Sequence, residues 1–148
     1  MRRRRGFSLL EVLVVLAIAG ILLGLLLRNM NRGKANREVD RVAVELEGGL
    51  RLARATALNR NGSHLVLTAN QWILRAPNSG QIGDVKIGAI PTTVEVIMNP
   101  SAANLTFNSN GSITAATSFT VRSRATNRTT VLSIGQATGA VQAAQTVF

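Results

Sequence analysis

Arg2-Arg3-Arg4-Arg5-Gly6-Phe7-Ser8-Leu9-Leu10-Glu11 opens a run that stays apolar through Leu27, with Glu11 its one charged residue. From Phe7 to Leu27 is 21 residues, about 31 Å as a helix at roughly 1.5 Å per residue. That length matches a bilayer hydrocarbon core about 30 Å thick. Four arginines ahead of the run favour a cytoplasmic N-terminus by the positive-inside bias. Arg28, Arg32, Lys34 and Arg37 follow the run closely and reduce the asymmetry. A carboxylate at mid-helix costs on the order of 2.5–3.5 kcal/mol on insertion scales, and less near the interface. Glu11 therefore calls for a cation, and no Lys, Arg or His lies between Phe7 and Leu27.

A cleaved secretory signal is the first rival, since Ala17-Ile18-Ala19 supplies a small-residue site. The apolar run continues past it through Leu27, and an acid within the apolar core suits a signal badly. Gly20 and Gly24 form a small-xxx-small pair that would let another helix approach closely. Glycine is also simply common in membrane helices.

The formal charge of +10 is partly a property of the head. Without Arg2 to Arg5, thirteen basic residues face seven acidic ones, a net of +6 with no basic run. There is no cysteine, which removes disulfides and thiolate chemistry.

Beyond the polar stretch Arg28–Lys34, which reads as the exit from the bilayer with a local loosening, Val39, Val42, Leu46, Leu50, Ala53 and Ala57 recur at helical spacing. Glu38, Arg41, Glu45 and Arg51 fall off that stripe, towards solvent. Gly48-Gly49 interrupts at about 1 kcal/mol each relative to Ala, which close packing or a bend would justify. Asn61-Gly62 suits a left-handed helix end. The arginines at 37, 41, 51, 54 and 60 are interleaved with acids and read as a solvated face.

After Gly62 the period becomes two. Strands are expected at His64–Thr68, Gln71–Arg75, Val85–Ile90, Val94–Met98, Leu105–Phe107, Ser112–Thr114, Phe119–Arg122, Thr130–Ile134 and Ala140–Ala143. Ser109-Asn110-Gly111 carries a hairpin signature. His64 reads as a surface or half-buried residue on a strand edge. Asp84 and Glu95 form no evident acid pair, and no serine has a recognisable base beside it. Neither an enzyme nor any cofactor or metal is expected.

Gly6-Phe7-Ser8-Leu9-Leu10-Glu11 followed by an apolar helix resembles the class III leader junction of type IV pilins and type II secretion pseudopilins. The resemblance implies that a membrane-bound prepilin peptidase cuts between Gly6 and Phe7 and methylates the Phe7 amine. It also implies that Glu11 pairs with Phe7 of a neighbouring subunit and sets its register. The new amine lies four residues from Glu11, about 6 Å of helical rise, so a neighbour shifted by that rise brings the two charges together. Arg28 stands where many major pilins have a helix-bending proline, and none precedes Pro77.

Within that superfamily the C-terminal half resembles the H-type group, GspH/FimT. Three patches carry it: Ala55–Arg60 leading to a strand and Trp72; Leu105-Thr106-Phe107-Asn108 with Gly111; and Thr130 to Gly139. The nucleic-acid-binding branch tends to show Gly-Arg-x-Arg near the C-terminus. Gly135-Gln136-Ala137-Thr138-Gly139-Ala140 has no arginine, which leaves Arg122, Arg124 and Arg128 as the substitute DNA contacts.

The expected fold is α+β and pilin-like: a long N-terminal helix, half membrane and half amphipathic, packed on a C-terminal antiparallel β-sheet. The expected divisions are a leader at 1–6, a transmembrane helix at 7–27, an amphipathic helix at 28–61 and a periplasmic β domain at 62–148. The expected role is a minor pseudopilin in a bacterial inner membrane, partnered by the peptidase, other pilins or pseudopilins and secreted proteins. The alternatives are a minor type IV pilin acting in pilus assembly or DNA uptake, and a plain single-pass anchor. Mass spectrometry of the mature chain is expected to find methylated Phe7 as the first residue. An intact Met1, or a chain beginning after Ala19, overturns the leader reading.

Overall fold

The computed structural model describes residues 9–78, 81–101 and 104–147, with the side chains of 25–31, 78 and 143–147 left aside. The leader, Gly6 and Phe7 lie outside the described residues. One helix, α1, runs from Leu9 to Arg60. The chain divides into two compact units between Lys34 and Ala35.

From Leu9 to Gly24 α1 is apolar all round apart from Glu11. Leu9, Leu13, Leu16, Ile21 and Leu23 are each more than half exposed, left uncovered by the described residues. Residues 9–24 span about 24 Å at roughly 1.5 Å per residue. Among the described residues no helix is long and apolar enough to cross a membrane. The expected span at 7–27 begins before the described residues and ends among residues whose side chains are left aside. The polar stretch 28–34, expected to loosen the helix, is helical, since its backbone hydrogen bonds are local and need no apolar face.

The second unit is built on one stripe. Val39, Val42, Leu46, Leu50, Ala53 and Ala57 are all essentially inaccessible, joined by Ala43. Three- and four-residue steps place them on one side of the helix. Asn61 ends the helix with φ 60°, and the Gly62 amide donates to the Ala57 carbonyl at 3.0 Å. This is the six-to-one bond of a Schellman cap, as the Asn-Gly pair indicated.

Among the described residues eight strands follow: β1 (Ser63–Leu67), β2 (Gln71–Asn78), β3 (Gln81–Ala89), β4 (Val94–Asn99), β5 (Asn104–Phe107), β6 (Thr117–Ser123), β7 (Thr129–Ile134) and β8 (Val141–Val147). They form two antiparallel four-stranded sheets, in the orders β3-β2-β1-β5 and β4-β6-β7-β8. A single sheet was expected. Alternation tells which side chains face inward, not which strand is the neighbour. The turn at Pro91 sends β4 to the second sheet, while β5 returns to pair with β1. Ser112–Thr114, expected as a strand, makes only an isolated bridge from Ile113 to Phe107. The adjoining Asn110 side chain accepts from the Ser112 amide and hydroxyl, which holds this segment as a turn.

Inward positions alternate as the pleat requires. Trp72, Leu74 and Ala76 on β2, Leu105 and Phe107 on β5, Phe119 and Val121 on β6, and Leu132 and Ile134 on β7 close the core over the helix stripe. Trp72 is the largest of them. A Cβ built on Gly49 would lie 2.5 Å from its ring, and one on Gly88 2.1 Å from it. Helix and edge strand therefore approach the indole as closely as glycine allows. Gly48 faces open space. The two adjacent glycines have different reasons to exist, and close packing explains only the second.

That difference predicts opposite signs. Gly48→Ala is expected to stabilise the domain by up to about 1 kcal/mol, through helix propensity alone. Gly49→Ala is expected to cost about 1–3 kcal/mol by overpacking. Urea titration of the detergent-held chain, read by fluorescence of the single tryptophan, measures both. Equal effects at the two positions contradict the packing described.

Candidate functional site

Two regions bear on function, one in each unit. In the first, Glu11 lies in the first turn of α1 as described and its side chain is exposed. Gly20 and Gly24 are also on α1, and neither has an atom of this chain within 4 Å of where a Cβ would stand. At about 100° per residue, Gly20 is turned about 180° from Glu11, and Gly24 about 220°. The acid and the small-residue pair thus lie on different faces of one helix.

In the second unit the helix is latched to the loops of the second sheet. Arg128 donates from Nε and Nη2 to the two Asp40 carboxylate oxygens, both at 2.9 Å. This is the parallel two-bond fork that suits guanidinium to carboxylate. The Thr126 hydroxyl donates to Asn36 Oδ1 at 2.8 Å, and the Thr93 hydroxyl donates to a Glu38 carboxylate oxygen. Asn36, Glu38 and Asp40 precede or flank Val39, the first fully buried valine of the stripe. They were not singled out as a group, because a polar run on a helix ordinarily reads as a solvated face.

The loop they hold is itself ordered by hydrogen bonds. The Ser123 hydroxyl accepts from the amides of Ala125 and Thr126 at 3.1 Å, and the Ser123 amide donates to the Arg128 carbonyl. Of the three arginines considered for DNA, Arg128 is engaged by Asp40, and Arg122 pairs with Glu95 at 2.7 Å. Arg124 is exposed on the same loop. The set is brought together at one end of the second sheet, with two of its three charges compensated.

The remaining candidates resolve into structure. His64 sits on β1, an interior strand rather than an edge, half-buried with Nδ1 3.1 Å from the Thr106 hydroxyl. Asp84 pairs with Arg75 at 2.8 Å. Arg54, grouped with the solvated arginines, is instead half-buried beneath the turn at Gly111. Helical spacing alone does not reveal that a loop comes down on this residue.

The three separated C-terminal patches meet in space. Arg54 and Leu58 lie against Gly111, and a Cβ on Gly139 would stand 2.0 Å from the Gly111 carbonyl oxygen. The Gln136 side-chain amide donates to the Thr114 carbonyl, and the Ile113 amide donates to the Gln136 carbonyl. Gly139 has φ 58°, a left-handed conformation that a side chain would strain.

The residues of this contact fall within a region, 42–139, that matches the model of the type II transport protein GspH. The chain belongs to the GspH family. Residues 1–27 match the prokaryotic N-terminal methylation motif. Over 53 residues the GspH-family chain is 47% identical to the type II secretion system core protein G of Klebsiella pneumoniae. That stretch is 34% of this chain and 38% of the relative, so well under half of each is spanned. The fold is similar to that of the type IV minor pilin FimU of Pseudomonas aeruginosa in two crystal forms. The TM-scores are 0.61 and 0.59, at 22% and 23% identity. The matches cover 72% and 70% of this chain and 88% and 90% of FimU. Pilins and pseudopilins are structural proteins, membrane-anchored and assembled with one another in filaments.

Removing the latch is expected to have a bounded cost. Arg128→Ala deletes a forked pair whose carboxylate partner is 44% exposed, so a loss of about 1 kcal/mol is expected, the upper end for surface pairs. A double-mutant cycle with Asp40→Asn checks it, and a coupling near zero removes the latch from the energetics of the domain.

Proposed function

We propose that this chain is an H-type minor pseudopilin of a type II secretion pseudopilus, supporting protein export. The observation that carries the proposal is the contrast between the two units. The domain has a closed core of its own, whereas every side chain from Leu9 to Ile18 is exposed, on a stretch of helix with a single acid. Such a helix needs a bilayer first and neighbouring helices afterwards.

In this reading, prepilin peptidase cuts between Gly6 and Phe7 and methylates Phe7. The new ammonium supplies the cation that Glu11 lacks, and the pair forms between neighbouring subunits in a low-dielectric setting. Gly20 and Gly24, on the opposite face, admit a second neighbour closely. The chain spans the inner membrane once, with the N-terminus cytoplasmic and the β domain periplasmic, until it enters the pseudopilus. Secreted proteins are the partners of the assembled filament.

The second reading, a minor type IV pilin in pilus assembly or DNA uptake, has the basic surplus and the fold likeness to FimU in its favour. The pairing of Arg122 and Arg128 with acids weakens the DNA branch of that reading.

Glu11→Ala is expected to leave membrane insertion and the Gly6–Phe7 cut intact while abolishing incorporation. Removing one partner of a pair buried in low dielectric costs roughly 3–5 kcal/mol, more than a hundredfold in the contact. Cysteine cross-linking between neighbouring subunits measures it. Wild-type cross-linking in the variant overturns the register mechanism.

A further inference from the structure

We infer that the outer face of the first sheet carries a binding cleft for a neutral saccharide, held between His64, Arg75, Asp84 and Asn104. The cleft lies within the second unit alone, and its ligand is additional to the assembly contacts proposed above.

Strand register builds the cleft. Residues directly opposite one another in an antiparallel ladder project to the same face. Thr106, His64, Arg75 and Asp84 are successive partners across β5, β1, β2 and β3, which makes one polar row four strands wide. Asn104, Val66, Ile73 and Ile87 form the next row, apolar but for its first member. Trp72, Leu74 and Ala76 alternate with these and are buried in the core. Asp84 joins the polar row because the β2–β3 register shifts between Leu74 and Arg75, leaving Val85 as an extra residue. In unbroken alternation Asp84 would oppose Ala76 and face the core. Bulges re-aim side chains in this way beside functional sites.

What the row leaves unused defines the ligand. Arg75 Nε donates to Asp84 Oδ1 at 2.8 Å, and His64 Nδ1 lies 3.1 Å from the Thr106 hydroxyl. Among the described residues the Arg75 Nη groups, Asp84 Oδ2, His64 Nε2 and the side-chain amide of Asn104 have no hydrogen-bond partner. Those four residues, with Val66 and Ile82, line an open cleft of about 660 Å³, within the range of small-molecule sites. The formal charges of Arg75 and Asp84 cancel, so an anion would meet Asp84 and a cation would meet Arg75. A hydroxyl suits both, since it donates and accepts. Neighbouring strands stand about 4.8 Å apart, close to the separation of alternate equatorial hydroxyls on a pyranose ring. Val66 and Ile82, the latter 63% exposed, offer an apolar surface to the C–H face of such a ring. A saccharide combines that edge of hydroxyls with an apolar face, and the cleft has room for a short oligomer.

The test uses the full chain in a detergent without a sugar headgroup, with cellotriose as the probe. His64 is the only histidine, so its imidazole resonances, observed with isotope-labelled histidine, report on the cleft directly. A saturable shift is expected, with a dissociation constant on the order of 1 mM from about four hydrogen bonds of ordinary net worth. Binding of a neutral probe is expected to survive ~1 M sodium chloride, where screening leaves little of a charge–charge attraction. Asn104→Ala and Asp84→Ala are each expected to weaken it about tenfold. Thr120→Ala, on the other sheet, is expected to leave it unchanged, and Trp72 emission checks folding throughout.

No saturable shift, or one that neither cleft substitution weakens, overturns the inference. So does a shift given by sodium acetate in place of cellotriose and abolished by salt, which assigns the cleft to an anion on Arg75. Either result leaves the leader and register predictions standing.

Discussion

The burial of one helix stripe, Val39 through Ala57, is the constraint on which the domain depends. It presents a narrow apolar line that must be covered on both flanks, and two four-stranded sheets cover it. Each fully buried Leu or Val on that line is worth about 1.5–3 kcal/mol. The strands contribute the other half of the same core through Trp72, Phe107, Phe119 and Leu132. Upstream the pattern is different in kind. The helix from Leu9 to Gly24 has no polar face, and its exposed leucines and valines are not covered by the described residues. One element thus serves two environments, and the change in hydrophobic pattern marks where one gives way to the other.

Close approach is the second organising feature. The indole of Trp72 lies between Gly49 of the helix and Gly88 of an edge strand, while Gly111 and Gly139 bring two loops within backbone contact. The ring is buried with its Nε1 unpartnered among the described residues, a cost of about 1–3 kcal/mol. Packing of a large ring against bare backbone offsets that cost. The segments carrying the family likeness are those that make these contacts, so the likeness reflects packing as much as function.

Charge is distributed with a similar economy. Most acids of the domain have a basic or hydroxyl partner, and those near the helix entry hold loops rather than solvating a surface. Arg51, Arg75, Arg122 and Arg128 each meet an acid, so the total alone overstates the charge that the domain presents.

By itself the sequence determined the helix end at Asn61-Gly62, the buried stripe, the sites of most strands and, through the leader and Glu11, the superfamily. These are local properties, set by a cap conformation, by periods of 3.6 and 2, and by a contiguous motif. Tertiary structure alone decided that the strands divide into two sheets, that Ser112–Thr114 makes a single bridge and no strand, and that Gly49 differs from Gly48. It also decided the fate of the arginines, since Arg128 meets Asp40 across 88 residues. Pairing at that range depends on how loops fold back over the helix. The opening stretch is the reverse case: its motif is legible without coordinates, because it lies in one contiguous run of sequence.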